Sequence, residues 1–220
     1  MPYHVRSDLH WCAAGRHIIF LDLSAGRYFS IPTEWNATMQ LATAGEPIDP
    51  DHQVLKKLLS TGILVESSAA MIPDNVVLPT AKDELDLSHA SGWSFVSHLE
   101  SLWYQRHVSR ALSRQGLGPL IERLRAIPQP HPKRRAKSPA DYDHIVRAFS
   151  TTTLIYTHAD RCLVRSIGLL LMIRKSDPEA KLVIGVASSP FSAHAWLQRG
   201  PIVLNDCLDR VRAFTPILVA

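Results

Sequence analysis

Asp160-Arg161-Cys162-Leu163-Val164-Arg165-Ser166 puts a cysteine at the head of a run whose apolar residues, Leu163, Ile167, Leu170 and Leu171, recur at helical spacing. The period then changes. Lys181-Leu182-Val183-Ile184-Gly185-Val186 reads as a strand, and Ala193 to Gln198 and Pro201 to Asp206 read as two more about a turn at Gly200. A cysteine-bearing helix followed by three strands is an α+β arrangement.

That position suits a nucleophile. Unpaired N–H groups and the positive end of the helix dipole favour a thiolate in the first turn, and Arg161 and Arg165 add positive charge. The bland alternative is a small buried apolar residue. A thiolate also needs a base, and the final strands offer one. If the last hairpin turns symmetrically about Gly200 with a three-residue loop, His194 stands opposite Asp206, Trp196 opposite Leu204 and Gln198 opposite Ile202. The Asp206 carboxylate could then orient one imidazole nitrogen and leave the other for Cys162. A slip of one residue would put the two groups on opposite faces. Cys207 would face the other way. A zinc site from Cys162, His194 and Cys207 matches no common ligand spacing, and His158 reads as a surface or supporting residue.

Upstream, Ser138-Pro139-Ala140-Asp141 is a helix start, with Ile145, Val146 and Phe149 on one face. Pro128 to Pro132 and the basic run Lys133-Arg134-Arg135-Ala136-Lys137 read as a loop. A helical pattern covers Ala90 to Arg114, stops at Gly116 and resumes to Ile127. Residues 67–86, rich in Ser, Ala, Pro and Asp, read as a linker. Before them, His17 to Leu23 and Arg27 to Pro32 form a hairpin about Ser24-Ala25-Gly26, with a weaker strand at Asp8 to Cys12. Helices follow from Thr33 to Gly45 and from Asp49 or Asp51 to Gly62, and Ile63-Leu64-Val65 closes a small winged-helix-like module over residues 1–66.

The 220 residues carry a formal charge of +4, and 46% of them are hydrophobic. This is globular composition, with no broad basic face for nucleic acid. Three cysteines without a CxxC indicate a reducing compartment. There is no secretory signal and no apolar run long enough to span a bilayer, so the chain reads as cytoplasmic.

The Cys-Leu-x-Arg-Ser stretch, Leu182 to Val186, Phe191-Ser-Ala-His-Ala-Trp196 and Val203-Leu-Asn-Asp206 resemble the B protein of lasso peptide biosynthesis in order and spacing, over residues 90 to 220. The resemblance implies a transglutaminase/papain-like cysteine protease domain over residues 87–220, with a catalytic triad of Cys162, His194 and Asp206 and no cofactor. Phe20-Leu-Asp-Leu and Gly26-Arg-Tyr-Phe-Ser-Ile-Pro32 resemble the PqqD-like leader-recognition element of peptide-modifying enzymes. In such elements a leader peptide adds as a strand to a sheet edge, here with Tyr28, Phe29 and Ile31 on the strand and Leu55 and Leu59 on the helix, although these five could equally be core.

The implied activity is hydrolysis of the leader–core bond of a lasso precursor, with a threonine typically two residues before the cut. The Cys162 backbone N–H is a candidate oxyanion donor. The freed core amine would pass to an asparagine-synthetase-like cyclase. Two other readings remain: a non-catalytic leader-binding adaptor, and an enzyme of the same fold that acylates an amine.

Overall fold

The computed structural model describes residues 3–66, 78–87, 94–126, 143–152, 161–174 and 177–220. The basic run at 133–137, the Ser138 helix start and His158 lie outside them.

The unbroken apolar run Ile18-Ile19-Phe20-Leu21 organises the first 66 residues. It lies in β3 (His17–Asp22), the middle strand of an antiparallel sheet between β2 (Leu9–Ala14) and β4 (Arg27–Ser30). The run does not alternate with polar residues because both faces of β3 are covered. Ile18 and Phe20 face a cluster with Leu9, Ile31, Met39, Leu55 and Leu58, whereas Ile19 and Leu21 face the other way. Asp22 accepts from Ser24 Oγ at 2.7 Å and the Ala25 N–H at 2.8 Å, which holds the β3–β4 turn.

The helices over the first face are α1 (Asn36–Ala44), entered through a 3-10 turn at Thr33–Trp35, and α2 (Gln53–Ser60). Neither Asp49 nor Asp51 caps α2; His52 stands at its N-cap, Asp49 Oδ1 accepts from the Asp51 N–H, and Asp51 instead pairs with Lys56. β5 (Leu64–Glu66) pairs antiparallel with β1 (Tyr3–Val5), a strand that sequence reasoning did not find.

The second sheet has the order β10-β7-β8-β9-β6. Its members are β6 (Asp83–Glu84), β7 (Ala180–Ser188), β8 (Phe191–Arg199), β9 (Ile202–Val203) and β10 (Thr215–Val219), with the short helix α7 (Leu208–Val211) before β10. β6, inside the stretch read as a linker, runs parallel to β9. α6 (Arg161–Ile173) packs on one face of this sheet, and α3 (Phe95–Gln115), α4 (Leu117–Ala126) and α5 (Asp143–Thr151) stack around it. On the far side, Val183, Trp196, Val203 and Val211 form a smaller cluster with Leu78, Ala81 and Phe214.

The two sheets share a core. Cys12, Ala14, Ile19, Leu21 and Leu23 belong to the same buried cluster as Leu120, Ile121, Leu170, Ile184 and Leu218. The first 66 residues therefore bury one face of their sheet against the rest of the chain, as a small module short of apolar surface must.

The closing hairpin differs from expectation in register. β8 pairs Gln198 with Val203 and Arg199 with Ile202, one residue away from the symmetric pairing about Gly200, and the connection is Gly200-Pro201. Two-residue hairpin connections need a residue with positive φ, and Gly200 supplies it at φ +54°. In this register Asp206 would fall on the wrong face if β9 continued. It does not continue: β9 ends at Val203.

At Gly118 in α4, an added Cβ would lie 2.8 Å from the Leu23 carbonyl oxygen, which is backbone and has little room to yield. Gly118→Ala should cost about 1–3 kcal/mol, lowering the urea midpoint without changing the m-value. An unchanged midpoint would show that α4 does not bear on the N-terminal sheet.

Candidate active site

Cys162 is the second residue of α6, where the backbone N–H groups of the first turn have no helical partner. Its thiol is half-buried. Burial alone would raise its pKa, but the hydrogen bond and charge of His194, with the Ala195 and Leu163 N–H groups, outweigh that and hold it below the ordinary thiol value. The strongest of these favourable influences is His194, not the Arg165 invoked from sequence; the side chain of Arg161 lies outside the described residues. Cys12, in the shared core, is the counterexample: its thiol donates to the Thr215 carbonyl at 4.0 Å, no cation adjoins it among the described residues, and burial pushes it up to about 12.

His194 lies on β8 opposite Gly185 of β7. Its Nε2 is 2.6 Å from Asp206 Oδ2, and both side chains are about nine-tenths buried, at 11% and 12% exposure. Nδ1 is the nitrogen left for the Cys162 thiol. Burial favours the neutral ring, but Asp206 and Cys162 together raise the imidazole to about 9. Asp206 also accepts from the Cys207 N–H at 2.8 Å and lies 3.7 Å from Arg210. Burial would raise the carboxyl, and these partners, His194 foremost, hold it below its usual range. Each shift thus favours the charged form, a thiolate, an imidazolium and a carboxylate in a row.

The imidazole ring is walled in. Phe214 lies 5.1 Å away at 34°, and Trp196 6.1 Å away at 22°. Gly185 makes room for both residues, since an added Cβ there would lie 2.9 Å from the Trp196 ring and 2.9 Å from the Phe214 Cβ. Trp196 Nε1 donates to Gln198 Oε1, and Gln198 Nε2 donates to the carbonyls of Pro79 and Gly200. The segment before β6 thus braces the wall of the site.

The structure brings Cys162, His194 and Asp206 into one chain of contacts. It divides the five candidate leader-binding residues. Tyr28 and Phe29 are half-buried on β4, the edge strand, and alternation sends them to opposite faces. Phe29 stacks on Phe20 at 5.0 Å, on the α1–α2 side. Tyr28 turns towards the second sheet and meets Phe191 at 5.6 Å. Ile31 and Leu55 are core, at 4% and 0% exposure, and Leu59 packs against the same cluster.

A cleft of about 240 Å³ opens beside this edge. It is lined by His17, Tyr28, Phe29 and Ser30 from the first sheet and by Ser188 and Phe191 from the β7–β8 turn. Sequence reasoning missed Phe191 as a lining residue, because nothing in the linear pattern says that the turn of one sheet touches the edge of the other. It also gave no role to Ser166 and Asn205. The first lies one helical turn beyond Cys162 and the second precedes Asp206; these spacings were the available signals.

Cys207 is exposed. Among the described residues no group of three His, Cys, Asp or Glu side chains is placed to hold a metal ion, and no helix is long and apolar enough to cross a membrane.

A family model described as the transglutaminase-like superfamily matches residues 105–219, just over half of the chain. Among curated proteins, the microcin J25-processing protein McjB of Escherichia coli is 32% identical over 68 residues, covering 29% of this chain and 33% of that protein. The match thus spans about a third of McjB's own length. No solved structure matches the chain.

Alkylation reads the predicted ionisation directly. Iodoacetamide labelling of Cys162, followed by peptide mass so that Cys12 and Cys207 are counted separately, should accelerate with an inflection below the ordinary thiol value of about 8.5. Asp206→Asn removes an influence that raises His194, so the imidazolium weakens and the Cys162 inflection moves up. An inflection indifferent to Asp206→Asn would contradict the electrostatic account.

Proposed function

The chain belongs to the transglutaminase-like superfamily, and from that premise we propose that it is a cysteine peptidase acting on the leader–core bond of a ribosomal lasso precursor peptide. The observation that carries this reading is the 2.6 Å contact of His194 with Asp206 beside a Cys162 thiol that hydrogen-bonds the same ring. The likeness to a microcin-processing protein supports the substrate class.

The chemistry follows from the ionisation states. The Cys162 thiolate attacks the scissile carbonyl carbon, and the electron pair of the C=O bond moves onto oxygen. Collapse of the tetrahedral adduct breaks the C–N bond while the His194 imidazolium gives its proton to the departing core amine. The leader is left as a thioester on Cys162. Neutral His194 then takes a proton from water, hydroxide adds to the thioester, and the leader leaves with a carboxylate as the thiolate returns. Asp206 keeps the imidazole oriented and stabilises its charged form throughout.

Binding of the leader is proposed at β4. β4 ends the order β2-β3-β4 with no further strand beside it among the described residues, so a peptide can add there as a further strand. Tyr28 and Phe29 would flank that peptide, and Ile31, Leu55 and Leu59 would support it from beneath. The adjoining cleft leads to Phe191, which stands three residues before His194 on β8, about 10 Å along the strand. The product would be a core peptide with a free amine, ready for an asparagine-synthetase-like cyclase in the cytoplasm.

An adaptor that only presents leaders has no use for a charged Cys–His–Asp row, and that row disfavours the reading. Transfer to an amine shares the acyl-enzyme and differs only in the second nucleophile.

Incubating the full chain with its precursor peptide, with and without the cyclase, and following mass should give leader and core. Cys162→Ala should lower the rate by at least about a thousandfold; leader release at the original rate would overturn the peptidase reading. The pH profile of kcat/KM should be bell-shaped. The acid limb follows ionisation of the lowered Cys162 thiol, and the basic limb, near pH 9, follows loss of the raised His194 proton. Tyr28→Ala should raise KM about tenfold with kcat held; an unchanged KM would place the leader elsewhere.

A further inference from the structure

β9 covers only the end of β8, leaving backbone groups of Leu197 and Ala195 facing outward along the sheet edge. Just past the end of β9, the Leu204 N–H donates to the Leu197 carbonyl at 2.9 Å. Beyond it, side chains take over. Asn205 Oδ1 accepts from the Leu197 N–H at 2.7 Å. Ser166 Oγ donates to the Ala195 carbonyl at 3.0 Å. The Ala195 N–H donates to the Cys162 thiol. Asn205 Nδ2 donates to Ser166 Oγ at 2.9 Å, joining the two clamps. Ser166 is fully buried and lies four residues after Cys162, so both face this edge.

We propose that Ser166 and Asn205 are positioning residues that lock the cysteine helix α6 to the histidine strand β8, holding Cys162 at the distance and angle His194 requires. The geometry carries it. The apolar contacts between α6 and the sheet are non-directional and permit sliding. The Asn205–Ser166–Ala195 chain is directional and ends one residue from His194. Asn205 is adjacent to Asp206, so a single turn after β9 delivers both the carboxylate for His194 and the amide for the clamp. The clamp depends on the peptidase reading only for its effect on turnover; its effect on the thiol does not.

The test uses full-length Asn205→Asp, Ser166→Ala and the double variant. Asn205→Asp keeps an acceptor for the Leu197 N–H but removes the donor to Ser166. Each single variant should shift the Cys162 alkylation inflection upward and slow labelling at neutral pH about threefold to tenfold, and the double variant should do little more than either single. With precursor peptide, kcat should fall about tenfold or more while KM holds. An unmoved inflection in variants that retain the wild-type urea midpoint would overturn the proposal, as would fully additive effects. If Ser166→Ala does not fold, the inflection and kcat of Asn205→Asp alone decide. A wild-type chain that fails to cleave the precursor while its thiol still responds to Asn205→Asp would sink the peptidase reading and leave the clamp standing.

Discussion

The site depends on an unfinished sheet. β9 pairs with β8 at two residues only, Gln198 with Val203 and Arg199 with Ile202. Backbone groups at a buried sheet edge must find partners. Along β8 they find them in α6 and in the turn after β9 rather than in another strand. The same unmet donor that needs a partner at Ala195 is one that steadies the Cys162 thiolate. A longer β9 would have taken the edge, and on this register it would have carried Asp206 away from His194.

The electrostatics work because the three groups share one desolvated strip. Each would resist charge if buried alone, as the thiol of Cys12 does. Together, each charge is the compensation for the next. Imidazolium stabilises thiolate on one side and carboxylate on the other, and the aromatic walls of Trp196 and Phe214 keep water from screening them. Helix α6 contributes the Leu163 N–H at its first turn. Among the described side chains the main favourable influence on the thiol is His194 rather than Arg165.

Much of this was legible in sequence, for specific reasons. Cys162 at a helix start, His194 on a strand and Asp206 after a glycine turn are local features, and local features follow from periodicity and turn residues. The strands of β7 and β8 and the stop at Gly45 were likewise local. The hairpin register was not, because a turn of two residues or three is decided by Gly200's positive φ, and a one-residue error reverses the faces. His194 and Asp206 meet despite that error only because the ladder ends early. β1, β6 and β10 escaped notice because their partners are distant in sequence. For Ile31 and Leu55 sequence leaves groove and core open alike, because apolar residues on a strand and helix look the same whether they line a groove or fill the core beneath it. The contact of Tyr28 with Phe191 belongs to the packing of one sheet on another, about which linear pattern says nothing.

The central claim is that His194 is a cation held between a thiolate and a carboxylate. The ring nitrogens of His194, observed by 15N NMR across pH in the wild type and in Cys162→Ala, test it most directly. The account predicts an imidazolium that persists to about pH 9 and titrates at lower pH once the thiolate is removed. Titration of His194 near its ordinary value of about 6.5, indifferent to the loss of Cys162, would contradict it.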